Sequence, residues 1–173
     1  PGISGEWSIQ ADDMNGDGLF DLVVGGASQI RVLLADGNGN FIAAGTRSVA
    51  GRCWQLNLAD LDGDGDVDVT TVNSFANAGQ VFRNDGSGGL ANGVTYSTDP
   101  FPLASDLGDL DGDGDLDWIT SSYSGDWFLF VNDGAGNFSF RESFFSLLPL
   151  LGDESFWLLF SDLSLPLDSS FLL

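Results

Sequence analysis

The sequence predicts an all-β protein built of repeated four-stranded antiparallel blades, and three observations carry that reading. An acidic nonapeptide recurs at a near-constant interval, a glycine-rich turn cluster recurs at the same interval, and the residues leading into each nonapeptide alternate with period two. The nonapeptides run Asp13-Met14-Asn15-Gly16-Asp17-Gly18-Leu19-Phe20-Asp21, Asp60-Leu61-Asp62-Gly63-Asp64-Gly65-Asp66-Val67-Asp68 and Asp109-Leu110-Asp111-Gly112-Asp113-Gly114-Asp115-Leu116-Asp117, starting 47 and 49 residues apart. The turn clusters at 36–40, 85–89 and 133–137 step by 49 and 48 residues.

Each unit reads as a meander. Trp7, Ile9 and Ala11 correspond to Trp54, Leu56 and Leu58 and then to Leu103, Ser105 and Leu107, which is a first strand with one inward face. A second strand follows the acidic loop at Leu22-Val23-Val24, Val69-Thr70-Thr71-Val72 and Trp118-Ile119-Thr120. A third lies at Ile30 to Leu34, Gln80 to Arg83 and Trp127 to Val131, and a fourth opens after the turn cluster at Phe41, Leu90 and Phe138. The unbroken apolar run Trp127-Phe128-Leu129-Phe130-Val131 predicts sheets covered on both faces, as in radially stacked blades. Residues 1–143 supply three such blades.

Residues 144–173 break the pattern. Of these 30 residues 23 are Phe, Leu, Trp or Ser, and no fourth acidic loop falls where the period requires one. Pro149, Gly152-Asp153-Glu154, Asp162, Pro166 and Asp168 cut the segment into runs far shorter than the roughly 20 residues that span a bilayer. It reads as a degenerate fourth blade, as an apolar strand that docks on a neighbour, or as a stretch that is not a genuine continuation of the protein sequence.

The 173 residues carry 26 acidic and 5 basic side chains, a net charge of -21, with 43% hydrophobic residues. So many apolar residues exclude a disordered acidic chain. The five arginines, Arg31, Arg47, Arg52, Arg83 and Arg141, stand singly, so no basic patch exists for nucleic acid. Histidine and lysine are absent, which removes the commonest general base and the amine nucleophile, and the reading is of a non-enzyme without catalytic residues. Cys53 is the single cysteine, expected as a buried thiol. With no disulfide available, metal is the expected staple.

A hard cation takes six to eight oxygens, and a tight loop with acids at positions 1, 3, 5 and 9 and a backbone carbonyl at position 7 supplies them. The candidate ligands are therefore Asp13, Asn15, Asp17, Leu19 and Asp21; Asp60, Asp62, Asp64, Asp66 and Asp68; and Asp109, Asp111, Asp113, Asp115 and Asp117. About three Ca2+ ions are expected, the first site being weakest because Asn15 replaces a carboxylate. Position 12 is Val24, Thr71 and Thr120 rather than the bidentate Glu of a helical calcium hand, which predicts modest affinity of roughly 10⁻⁴ to 10⁻³ M.

These loops resemble the FG-GAP or VCBS-type repeats of integrin-like β-propellers, with the pattern Asp-x-Asp-Gly-Asp-Gly-x-x-Asp-Leu followed by an apolar strand. The resemblance implies a bladed fold in which calcium pins the loop joining the first two strands of each blade. Propellers of this family typically close with seven blades, so three or four imply a partial or oligomer-completed β-propeller. The expected function is an extracellular or cell-surface structural or adhesion module that assembles with itself into an oligomer or filament, with no membrane insertion. A calcium-dependent lectin binding glycans, a module contacting other cell-surface proteins, and a piece of a larger propeller-bearing protein are the alternatives. Trp7 and Trp54 are expected in the core, as are Trp118, Tyr123 and Trp127, the last three being the better candidates for an exposed aromatic surface. Asn137-Phe138-Ser139 forms an N-glycosylation sequon.

Overall fold

The computed structural model describes residues 5–144, and among them every regular element is a strand. β1 (Ser8–Asp12), β2 (Asp21–Gly25), β3 (Gln29–Ala35) and β4 (Phe41–Ser48) pair antiparallel in chain order as blade 1. β5 (Cys53–Ala59), β6 (Asp68–Asn73), β7 (Ala78–Phe82) and β8 (Val94–Ser97) form blade 2, and β9 (Pro102–Gly108), β10 (Asp117–Ser122), β11 (Trp127–Asn132) and β12 (Phe138–Phe144) form blade 3. The meander follows from local chemistry: consecutive β-prone runs are separated by turn-forming Asp, Asn and Gly clusters too short for a crossover. The apolar segment assigned to residues 144–173 lies, after Phe144, outside the described residues.

Cross-strand partners share a sheet face, so the registers show what each blade presents. Val23 pairs with both Gln10 and Val32, and these side chains turn toward blade 2. Leu58, Val69 and Phe82 are in register on the facing side of blade 2. Between the two sheets Val23, Ile30, Val32, Cys53, Leu56, Val69 and Phe82 form one core layer. A second layer between blades 2 and 3 holds Leu61, Val72, Val81, Trp118, Phe130 and Phe138. Trp118 is the centre of an aromatic cluster, 5.5 Å from Phe130 and 5.9 Å from Phe138 between ring centroids.

The strands β1, β5 and β9 lie side by side as the innermost strand of each blade. Their contact is polar: Gln55 Nε2 and Asn57 Nδ2 donate to the Ser105 carbonyl at 2.8 and 3.2 Å. Every residue of β6 and β7 is buried because blade 2 has a neighbour on each side. β11 is buried on one face only, which corrects the expectation drawn from its apolar run. Its outer face has no neighbouring blade among the described residues.

Three further expectations are corrected. Leu90 makes an isolated bridge to Asn84 instead of opening a strand, and β8 begins at Val94. Gly93 carries the chain close over the Phe82 ring, where a Cβ would stand 2.5 Å from Cε1, so pairing resumes only beyond it. Trp7 is 49% exposed rather than core: it precedes β1 and stacks at the blade end on half-buried Trp54 at 5.7 Å, with the Arg52 guanidinium 4.2 Å from its ring centroid. Tyr123 and Trp127 are 80% and 52% exposed at the β10–β11 connection, whereas Trp118 is fully buried as expected. Cys53 is fully buried too, and burial pushes its thiol up to about 11.

Candidate metal centre

The acidic loops join β1 to β2, β5 to β6 and β9 to β10, so all three project from the same end of their blades. In each loop the first aspartate folds the chain around itself. Asp60 accepts the Gly63 and Gly65 amides at 2.8 and 3.0 Å, and Asp109 accepts Gly112 and Gly114 at 2.7 and 3.2 Å. Gly63 and Gly65 have φ of 74° and 93°, a backbone that L side chains rarely adopt, so the acceptor ring requires glycine there.

The ninth residue has a second duty that spacing alone did not reveal. Asp21, Asp68 and Asp117 are 0%, 1% and 0% exposed. Each accepts the amide of loop position 2 with one oxygen and the amide of a third-strand-end residue with the other. Asp68 takes Leu61 N at 3.3 Å and Asn84 N at 2.8 Å; Asp117 takes Leu110 N at 2.9 Å and Asn132 N at 3.0 Å; Asp21 takes Met14 N at 3.0 Å and Ala35 N at 2.8 Å. This aspartate latches loop to sheet.

The structure brings Asp60, Asp62 and Asp68 together, and likewise Asp109, Asp111 and Asp117, with one carboxylate oxygen from each residue lying within 4.8 Å of the others. Asp62 Oδ1 and Asp111 Oδ1 are buried and have no hydrogen-bond partner. An orphaned carboxylate oxygen inside an acidic cluster is costly unless a cation fills the gap, so the donor set fits a hard divalent ion. Asp64 and Asp113 instead accept the amides of Asp66 and Asp115 at 2.9 and 3.0 Å. The Asp66 and Asp115 side chains lie against Gly86 and Gly134 in the neighbouring turns, leaving their backbone carbonyls as the loop's contribution. In the first loop Asn15 Nδ2 donates to Asp17 at 3.1 Å, and Asp13 is engaged by its own loop. Donation from Gly18 above all, then from Asn15, Gly16 and Asp17, holds the Asp13 carboxyl below its ordinary range. Leu19 donates its amide to Asp17 at 2.8 Å.

Arginines reach the third loop position in blades 2 and 3. Arg83 pairs with Asp62 and also donates to the Ala135 carbonyl, while Arg141 pairs with Asp111 at 3.3 Å. Burial pushes the Asp68 carboxyl up to about 6, with repulsion from Asp64 and Asp60 adding to it. Burial, then repulsion from Asp113 and Asp117, raises Asp111 as well. The folded, metal-free chain therefore holds the Asp68 proton more tightly than the unfolded chain, so this group's contribution to stability falls as pH rises from about 4 to about 6. A cation needs the ionised form. On the calcium reading proposed below, affinity at the Asp60–Asp62–Asp68 cluster is expected to drop as pH falls below about 6, approaching tenfold per unit, in calorimetric titrations at a series of pH values. An affinity flat from pH 7 to 5 would count against Asp68 as a ligand.

Two asparagines missed in the sequence reading tie successive blades together at these loops. Asn84 Nδ2 donates to the Met14 carbonyl and Asn132 Nδ2 to the Leu61 carbonyl, both at 2.8 Å. The signal was available as the Asn-Asp pairs Asn84-Asp85 and Asn132-Asp133 opening two of the turn clusters.

The FG-GAP-like repeat family matches residues 13–71 and 60–120, each match running from one acidic loop through the next. The chain belongs to the FG-GAP-like repeat family. Among solved structures, this FG-GAP-like chain resembles an Agrocybe aegerita lectin described as specifically recognising non-reducing terminal N-acetylglucosamine, at 22% identity and a TM-score of 0.52. The match covers 79% of this chain and 37% of the lectin, and it shows the fold. A match to the pore of the Photorhabdus luminescens Tc holotoxin, at 24% identity and a TM-score of 0.48, covers 79% of this chain and 7% of that one. No curated protein sequence matches the chain. No helix among the described residues is long and apolar enough to cross a membrane.

Proposed function

We propose that this FG-GAP-like chain is a non-enzymatic, extracellular or cell-surface structural or adhesion module whose blades are braced by calcium and which associates with itself. The observation that carries the reading is the pair of orphaned oxygens, Asp62 Oδ1 and Asp111 Oδ1, inside their carboxylate clusters. Calcium satisfies them and neutralises the repulsion within each loop, and because Asp68 and Asp117 also hold the third strand, loop and sheet stiffen together. The lack of a bidentate glutamate keeps affinity modest, which suits the millimolar calcium outside cells. Up to three ions bind, the loop containing Asn15 most weakly.

Chelation supplies the test. Removing calcium is expected to lower the thermal midpoint by roughly 4–8 °C, as loss of about 2 kcal/mol does for a chain near this size. Calcium but not magnesium at equal concentration restores it. Identical melts with and without chelator would overturn the calcium reading.

A lectin is the second reading, favoured by an aromatic rim at the blade ends opposite the acidic loops. Phe75 meets Phe101 edge-on at 5.1 Å and Phe101 meets Tyr123 at 6.4 Å. Phe101 sits at φ 62°, rare for an aromatic residue, held by donation of its amide to Asn77 at 3.0 Å and by the Tyr123 amide donating to its carbonyl at 3.1 Å. An apolar hollow of about 400 Å³ opens beside Pro100, Phe101, Tyr123 and Ser124. Glycan binding lost on Tyr123→Ala would favour this reading, and a blank glycan array would remove it.

A further inference from the structure

We infer that Arg83 is a positioning residue for the carboxylate cluster of the second loop and couples it to blade 3, so that calcium among Asp60, Asp62 and Asp68 tightens the seam between blades 2 and 3. The inference rests on the calcium reading proposed above and names the residue through which that site acts on its neighbour.

Arg83 belongs to two contacts at once. Its Nη1 pairs with Asp62 Oδ2, and its Nη2 donates to the Ala135 carbonyl in the turn that joins β11 to β12. The guanidinium also lies on Gly136 of that turn, where a Cβ would stand 2.6 Å from Cζ. Asp62 therefore has one oxygen held from behind, while the other, Oδ1, is the buried oxygen left without a partner inside the cluster. The carboxylate keeps that oxygen facing the cluster as long as the ion pair holds.

The three blades provide an internal comparison. The residue after each ninth aspartate pairs with Leu33, Phe82 or Phe130, so the position of Arg83 is Leu34 in blade 1 and Val131 in blade 3. Leu34 packs on Gly88 of the next blade's turn as Arg83 packs on Gly136, a Cβ at Gly88 standing 3.0 Å from Leu34 Cδ2. Leucine thus suffices to fill the seam, and the guanidinium serves something else. Among the described residues no ion pair reaches the first loop, whose third residue is Asn15. In blade 3 Val131 takes the seam position, and Arg141 of β12 pairs with Asp111 instead. A guanidinium stands behind the third loop residue wherever that residue is a carboxylate, arriving by two different routes. Arg83 is the one that also grips another blade.

The planar fork is what this position uses: two N–H groups on one rigid plane reach acceptors in two blades, which an ammonium on a flexible stem does not reproduce. A ligand oriented from behind binds metal more tightly, and losing such an outer partner typically costs about 10–100-fold in affinity. The positive charge alone acts the other way, because it repels the ion. The sign of the effect therefore separates the two roles. Coupling is reciprocal: if the grip on blade 3 favours calcium binding, calcium strengthens the grip by the same factor.

Calorimetric calcium titration and hydrogen exchange test this in an Asp13→Ala/Asp109→Ala background, which leaves the second loop as the one intact site. Arg83→Leu copies Leu34 and so keeps the packing on the turn glycine. It should weaken calcium binding roughly tenfold, at the low end of the range because a repelling charge is lost too. Arg83→Lys, which keeps the charge, should also weaken it. With Arg83 present, calcium should slow amide exchange both in residues 60–68 and in the turn at 132–138. In calcium-saturated Arg83→Leu, residues 60–68 should stay protected while the turn no longer responds. Affinity unchanged or raised in Arg83→Leu would overturn the inference, as would a turn that still responds to calcium in that variant. Lysine matching arginine would overturn it as well, since charge alone would then suffice. No calcium binding with Arg83 in place would remove the calcium reading and the inference together, whereas the other outcomes remove the inference alone.

Discussion

Replacing Asp117 with alanine is expected to cost about 3 kcal/mol or more, measured by denaturant unfolding in the absence of calcium. The carboxylate is fully buried and accepts Leu110 N and Asn132 N, so its removal strands two donors, each worth about 1–3 kcal/mol when left unsatisfied. The loss propagates, because Asn132 also carries the bond from blade 3 to the Leu61 carbonyl of blade 2. Asp109→Ala is the informative contrast. Asp109 is exposed and serves its own loop, so this variant should lose little without calcium yet forfeit the increment proposed for calcium at its site. If the two variants behaved alike in chelator, the ninth position would be a ligand only and the latch would be wrong.

The contrast bears on what could be read from sequence. Loop spacing identified the acids at positions 1, 3 and 9 that the structure gathers, because coordination by a short loop is a local property of the chain. The latch was not legible as such, although each ninth aspartate is followed directly by a strand residue, Leu22, Val69 or Trp118, which already sets it at the edge of the core. Alternation likewise placed Ile9, Leu56 and Ser105 on one kind of face, and the registers agree. What alternation cannot say is whether that face meets a neighbour. Leu56 is fully buried and Ile9 is mostly exposed with the same local pattern, and the misassignment of Trp127 to the core has the same origin. Local pattern encodes the blade, while the order of blades in the stack decides burial.

Gly79→Ala is the sharpest test of how those blades fit. Gly79 does not have a positive φ, so its backbone makes no demand for glycine, and the constraint is the Trp118 ring. A Cβ would lie 2.0 Å from Cη2 and 2.9 Å from both Cζ2 and Cζ3. The ring cannot retreat, being packed against Phe130, Phe138 and, edge-on, Tyr96. Overpacking of this kind costs roughly 1–3 kcal/mol, and a rigid aromatic neighbour puts the expectation at the upper end. Trp118→Leu alone should also destabilise, by leaving a cavity. The double variant Gly79→Ala/Trp118→Leu should be more stable than the sum of the two losses predicts, with a coupling of about 1–2 kcal/mol. Additive losses would mean that the glycine serves the pairing of β7 with its neighbours rather than the seam between blades. Recovery would show that each seam is set by a single pair of positions, large against small in blades 2 and 3 and middle against middle in blades 1 and 2, so that one substitution can change which blades fit together.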